Sequence, residues 1–185
     1  MLPTSSNLTA LVNKTITLDT KLTTSPNGSG VLVREFPVTL EVNGKAVSLT
    51  RGEGSDPGLW VPYAETMAVV GHATGGQTWA ASGPFSGCEF IVGSNKTLGI
   101  PFVAHIARQS GSTGIEDWKK YAAAQSLSIW YQNRIPLPSD TFFACSYVFV
   151  QFGGSGILSM VRLDVNVGSR MGGSDGVIFN VKTFK

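Results

Sequence analysis

The chain has 185 residues, 14 lysines and arginines against 12 aspartates and glutamates, and a formal net charge of +2, with charged residues making up only 14% of it. Charge this sparse, with Lys119-Lys120 as its adjacent basic pair and no basic run interleaved with aromatics, excludes nucleic acid as an expected direct ligand. No apolar run reaches membrane-spanning length, and Met1 to Asn7 lacks the basic segment and apolar core of a secretory signal, so neither a membrane span nor Sec export is expected.

A length of 185 residues fits one domain, spanning 1–185, in which about 70% of the unfolded surface can be buried without a covalent staple. The 22 glycines exceed the usual share of about 7% and favour a strand-rich, turn-rich chain. Residues 4 to 14 read as a short helix with Leu8, Leu11 and Val12 on one side, and Thr15 to Leu22 alternates as a strand. A hairpin follows: Val38, Leu40 and Val42 alternate with polar residues, Asn43-Gly44 supplies a two-residue type I′ turn, and Val47 and Leu49 continue the apolar face. This pair is expected to form a ribbon over one side of the core.

Gly52 to Gly58 reads as a turn, and Leu59 to Tyr63 and Met67 to Val70 as short strands interrupted by Pro62. In that reading His72, in a glycine-rich stretch, faces solvent. Further strands are expected at Gln77 to Ala81, Cys88 to Val92 and Ile100 to Ile106. Thr113-Gly114-Ile115-Glu116 resembles a capping box and opens a helix over Glu116 to Gln125 that carries Trp118, Tyr121 and Ala122 on one side. Thr141 to Phe152 reads as a strand buried on both faces, and Val161 to Val167 as one buried on a single face, which turns Asp164 outward. Gly153-Gly154-Ser155-Gly156 between them is a hairpin loop, because the lysine and hydroxyl of a phosphate-binding loop are missing. A last strand is expected at Val177 to Phe184. The sum is an α+β, β-rich fold: a sandwich of two mixed β-sheets with one to three flanking helices.

Two cysteines, Cys88 and Cys145, make no disulfide framework, although a buried pair or a single bridge is an open alternative. No Cys/His cluster has the spacing of a zinc site, and no cofactor or metal is expected. The sequons at Asn7, Asn13, Asn27 and Asn95 carry no weight without a secretory route. The chemistry concentrates instead at Phe85-Ser86-Gly87-Cys88 and, seventeen residues on, His105. A cysteine attacks as its thiolate, and a neighbouring imidazole raises that fraction and returns the proton to the leaving group. Ser86 and Gly87 suit a turn whose backbone N–H groups face a developing oxyanion. Ser82, six residues before Cys88, is placed to orient the imidazole through its hydroxyl or its carbonyl. Asp117, Asp140 and Asp164 are further orienters that the spacing does not favour.

At these residues the chain resembles the Cys-His glutamine deamidases: the lethal-factor-like toxins of Burkholderia, the cytotoxic necrotizing factor catalytic domains and the CheD-like chemoreceptor deamidases. Those toxins carry Leu-Ser-Gly-Cys where this chain has Phe85-Ser86-Gly87-Cys88, and a histidine followed by isoleucine where it has His105-Ile106. The chemotaxis enzymes have a threonine at the place of Ser82, and Leu59-Trp60-Val61-Pro62-Tyr63 is similar to a segment preceding the motif in the lethal factor. The likeness covers about residues 59 to 106. The longer interval between Cys88 and His105 puts the loop Gly93 to Gly99 at the expected active-site mouth.

The resemblance implies a β-sandwich whose narrow site takes a protruding glutamine from a folded protein, with Cys88 as nucleophile, His105 as acid and base, and Ser82 as orienter. It implies a bacterial toxin or effector, made in the cytoplasm and delivered to a host cell by a non-Sec route. Its partner would be a protein with an exposed glutamine, such as a host translation factor or GTPase, met by a monomeric enzyme. Open alternatives are a CheD-like housekeeping deamidase, a cysteine peptidase or transglutaminase sharing the dyad, and a non-catalytic β-sandwich binding module.

Overall fold

The computed structural model describes residues 1–22, 28–52, 54–138, 143–168 and 175–184. The chain runs through α1 (Ser5–Thr9), β1 (Thr15–Leu18), a 3-10 turn (Thr20–Leu22), β2 (Val31–Val33), β3 (Phe36–Asn43), β4 (Ala46–Arg51), β5 (Gly58–Pro62) and β6 (Ala68–His72). It continues through β7 (Trp79–Phe85), β8 (Glu89–Asn95), β9 (Ile100–Ile106), α2 (Gly114–Ala124), β10 (Leu127–Arg134), β11 (Ala144–Gly153), β12 (Gly156–Asn166) and β13 (Asp175–Thr183).

The hairpin of β3 and β4 forms, but one residue later than its expected turn: Asn43 pairs with Ala46 and Val42 with Val47, so the two-residue loop is Gly44-Lys45. With positive φ at Gly44 alone (+59°) it has the type II′ pattern, glycine first, rather than type I′. It does not lie as a ribbon over the core. It is part of an eight-stranded closed barrel ordered β1-β13-β12-β11-β7-β5-β3-β4, which the parallel pairing of β1 with β4 completes at Ile16↔Val47 and Leu18↔Leu49. Closure leaves this sheet no edge. Inward residues that alternate along the strands, among them Val38, Leu40, Val47, Leu49, Leu163 and Val165, fill the barrel with Trp60, Trp79 and Phe149. Both indoles are buried because their N–H groups find carbonyls, Trp60 Nε1 at Leu22 and Trp79 Nε1 at Asp56. Leu8 of α1 joins the same core, and Thr4 caps that helix through the Asn7 N–H.

Five further strands form a second sheet, ordered β10-β8-β9-β6-β2. One face packs on the outside of the barrel, setting Val69, Phe90, Val92 and Val103 against Leu59, Val61, Ala80, Val148 and Val150. The other face, with Val70, Ile91, Phe102 and Ala104, is covered by Trp118 of α2. The expectation of a β-rich α+β fold in two sheets with one to three helices therefore holds. The departure is that one of the two sheets closes on itself, so face-to-face layering involves only part of its circumference.

Local differences have local causes. The helix expected over 4 to 14 stops at Thr9, and the strand expected to Leu22 gives way to the 3-10 turn. Thr113 makes no cap bond in α2; the Ser112 hydroxyl accepts the Gly114 N–H instead, and Glu116 pairs with Lys119 rather than reaching back. β7 runs on to Phe85 instead of ending at Ala81, because it is paired on both sides, with β5 and β11. Asp164 faces outward as expected, between the inward Leu163 and Val165, yet is 1% exposed because the outside of β12 is covered there: its carboxylate accepts bonds from Ser146 Oγ, Arg162 Nε and Asn180 Nδ2. Asn27, Asp140 and the first residues of the strand expected at 141 lie outside the described residues.

Candidate active site

The barrel and the second sheet meet at the residues singled out by sequence. Ser82 lies on β7 of the barrel and His105 on β9 of the facing sheet, and alternation turns both into the layer between. Phe85 ends β7, Ser86 and Gly87 make the turn, and Cys88 precedes β8, on the same face as Phe90. Gly87 has a φ of +124°, a conformation that favours glycine, and an added Cβ would stand 3.1 Å from Arg134 Nη2.

His105 is fully buried and its hydrogen bonding assigns its tautomer. The Ser82 hydroxyl donates to the Val61 carbonyl at 2.7 Å, so in its 2.9 Å contact with His105 Nδ1 the oxygen accepts and the ring nitrogen donates. Nε2 is left with its lone pair and no hydrogen-bond partner. The ring stacks on Phe85 at 3.9 Å between centroids and 11° between planes, with Tyr63 at 5.3 Å on a tilted approach. Burial holds the imidazole pKa down at about 3, so His105 is neutral across the physiological range.

Cys88 is 7% exposed and free. Burial raises its pKa, while the Arg108 backbone N–H and the guanidinium groups of Arg134 and Arg108 oppose that rise. The resting pair is thus a neutral thiol in an apolar cluster and a neutral imidazole stacked on Phe85 of that cluster. They are not hydrogen-bonded to each other, contrary to the close dyad expected from adjacent strands. Tyr63 is the neighbour they share: its ring approaches His105, it lines the Cys88 cavity, and its hydroxyl, with a pKa pushed up to about 12, stays protonated and donates to Gln109 Oε1.

The cavity at Cys88 has a volume of about 130 Å³ and is lined by Tyr63, Ser86, Gly87, Arg108, Gln109 and Arg134 as well as Cys88. Arg134 Nε donates to the Gly87 carbonyl at 2.8 Å and so holds the peptide that precedes Cys88. Sequence reasoning missed Tyr63, Arg108, Gln109 and Arg134. β10 carried no expectation at all, and its alternation is interrupted by a register shift between Ile129 and Tyr131 that puts Trp130 and Tyr131 against the same core.

Two sequence expectations are corrected here, and one open alternative is decided. The loop Gly93 to Gly99 is not at the site mouth: β8 and β9 are antiparallel, so their turn lies some six residues, about 20 Å, from the Cys88 end. Residues of that turn line a separate cavity of about 390 Å³ with Trp130 and Gly153-Gly154-Ser155. His72 is 6% exposed, because β6 stays paired with β9 as far as His72↔Phe102, and its Nε2 has no partner. Of the alternatives for the cysteines, the bridge is not formed and both are buried: Cys145 packs inside the barrel, with its thiol pKa pushed up to about 12 by burial. Among the described residues no three His, Cys, Asp or Glu side chains gather as a metal site, and no helix is long and apolar enough to cross a membrane. Neither the comparison with protein-family models nor that with curated proteins gives a match.

Proposed function

We propose that the chain is a protein glutamine deamidase in which Cys88 is the nucleophile, His105 the acid and base, and Ser82 the residue that sets the histidine tautomer. The observation that carries this reading is the Val61–Ser82–His105 chain of hydrogen bonds, which leaves Nε2 as the unoccupied basic atom of a ring stacked on Phe85, a member of the buried cluster that holds Cys88. A cavity of about 130 Å³ is below the roughly 300–1,000 Å³ of ordinary ligand pockets and suits one unbranched side chain better than the open groove of a peptidase.

Since thiol and imidazole are both neutral at rest, the proton moves as the substrate enters. Sγ bonds to the carboxamide carbon while its proton passes to Nε2, and the carbonyl electrons move to oxygen. Among the described residues no acceptor takes the Gly87 or Cys88 backbone N–H, which leaves both to donate to that oxyanion. The carbonyl re-forms, the C–N bond breaks, and the Nε2 proton leaves with nitrogen as ammonia. Water then attacks the thioester, giving its proton to Nε2; the C–S bond breaks, the sulfur recovers a proton, and the target keeps a glutamate. The target would be a folded protein displaying that glutamine, with a host protein as the leading class and a bacterial chemoreceptor as the alternative.

One observation favours a competing reading. The missing bond between Nε2 and the thiol, with a raised thiol pKa, is also what a buried cysteine and histidine in a non-catalytic module would show. Quantitative mapping of glutamine-to-glutamate conversion in eukaryotic and bacterial lysates separates the two. Conversion of a discrete glutamine by the natural protein and not by Cys88→Ala supports the deamidase, whereas new chain termini point to a peptidase and no Cys88-dependent change points to the module.

A further inference from the structure

The lining of the Cys88 cavity has more positive charge than the chemistry of a neutral carboxamide uses. Arg134 spends Nε on the Gly87 carbonyl, and among the described residues no carboxylate pairs with its guanidinium. Arg108 gives Nη1 to Glu89, whose two carboxylate oxygens are occupied by Arg108 and Gln132 and whose side chain is buried. The Arg108 side chain itself is 40% exposed and keeps other N–H groups for a partner. Glu65 acts on the Tyr63 hydroxyl but does not line the cavity. The lining therefore carries two guanidinium groups and no carboxylate.

Resting on the deamidase reading, we infer that Arg108 and Arg134 form an anion subsite that selects a target glutamine with an aspartate or glutamate beside it. Once a single side chain fills the cavity, the residues one or two positions away stay outside it, within about 4–7 Å along the chain, where the exposed guanidinium groups stand. A guanidinium presents a planar fork of donors that matches a carboxylate, and it keeps its charge at any working pH. A basic residue in the same place would meet like charge, so the subsite rejects as well as selects.

The test reads the charge at Cys88 without needing turnover. The rates at which iodoacetate, an anion, and iodoacetamide, a neutral carboxamide, alkylate Cys88 are measured at low salt by mass spectrometry of the Cys88 peptide. The iodoacetate-to-iodoacetamide ratio is expected to fall about fivefold in Arg134→Gln and in Arg108→Gln, as for one partly exposed charge pair, and to fall in the natural protein at 1 M salt. Arg134→Lys keeps the charge but loses the Nε fork, and is expected to hold the ratio. A ratio unmoved in both glutamine variants overturns the subsite. Ammonia release from synthetic peptides with one glutamine followed by glutamate or by lysine then ties the subsite to the reaction: preference for the glutamate peptide in the natural protein, lost in Arg134→Gln, supports it, and equal rates overturn the proposed selectivity. A shifted alkylation ratio with no ammonia from any peptide or lysate protein keeps an anion subsite at Cys88 and sinks the deamidase instead.

Discussion

Ser82 and His105, on strands of two different sheets, are joined by a 2.9 Å hydrogen bond in which the serine oxygen accepts, because its own hydrogen is already given to Val61. The bond fixes an imidazole tautomer across the layer between barrel and sheet, and in the proposed reaction it gives Ser82 a positioning role, acting through the histidine rather than on the substrate. Ser82→Ala is expected to lower kcat by on the order of 10–100-fold with KM little changed, as loss of a group that orients a catalytic histidine does. Ser82→Thr restores the acceptor and should recover most of the rate. If Ala and Thr lose activity equally, the hydroxyl is only packing.

The same histidine makes stability depend on pH. His105 has a folded pKa of about 3, below its ordinary 6.5, so the unfolded chain binds a proton that the folded one refuses. Its contribution is therefore fully present above about pH 6.5 and is lost as pH falls from there towards 3, by at most roughly 5 kcal/mol. Buried His72, also lowered by desolvation, acts in the same direction. Urea unfolding of the natural protein and His105→Gln at pH 7.5, 6 and 5 checks this. The natural protein should lose more stability over that range than the variant, and parallel losses would mean that His105 is protonated in the fold.

For Cys88, burial outweighs the neighbouring arginines and raises the thiol pKa. The iodoacetamide rate at Cys88 is expected to climb through the alkaline range, beyond where an ordinary thiol levels off, and to show no plateau near neutrality. A plateau below pH 7 would reveal a preformed thiolate–imidazolium pair. Mapping the adduct by mass spectrometry removes interference from Cys145, whose thiol pKa of about 12 leaves it unreactive.

How much of this was legible depended on how local each cause is. The alternation on either side of Gly44 announces the hairpin, while the type I′ turn read at Asn43-Gly44 falls one residue on, at Gly44-Lys45, because a glycine with positive φ at the first loop position also makes a type II′ turn. Cys88 and His105 were singled out as candidates because a short motif carries them. The barrel was not, since it closes through β1 pairing β4 in parallel and β13 on the other side, contacts that no strand's own alternation encodes. Arg134 was missed for the same reason: it belongs to a strand whose pattern a bulge obscures, and its role exists only where that strand's end reaches the Gly87 carbonyl.

Gly87 carries the last expectation. Its φ of +124° is strained for any other residue, and the Cβ of Gly87→Ala would press on Arg134 Nη2 at 3.1 Å. The backbone strain costs on the order of 1–3 kcal/mol, a destabilisation readable as a lowered urea midpoint. Displacing Arg134 removes the bond that holds the Gly87 carbonyl, and with it the orientation of the peptide whose N–H belongs to Cys88. Gly87→Ala should therefore lose activity well beyond its loss of folded protein, measured as ammonia released per folded molecule. Arg134→Lys, which breaks the same bond without touching Gly87, should show a smaller part of that defect. If Gly87→Ala keeps its full rate per folded molecule, the turn before Cys88 has no part in holding the oxyanion.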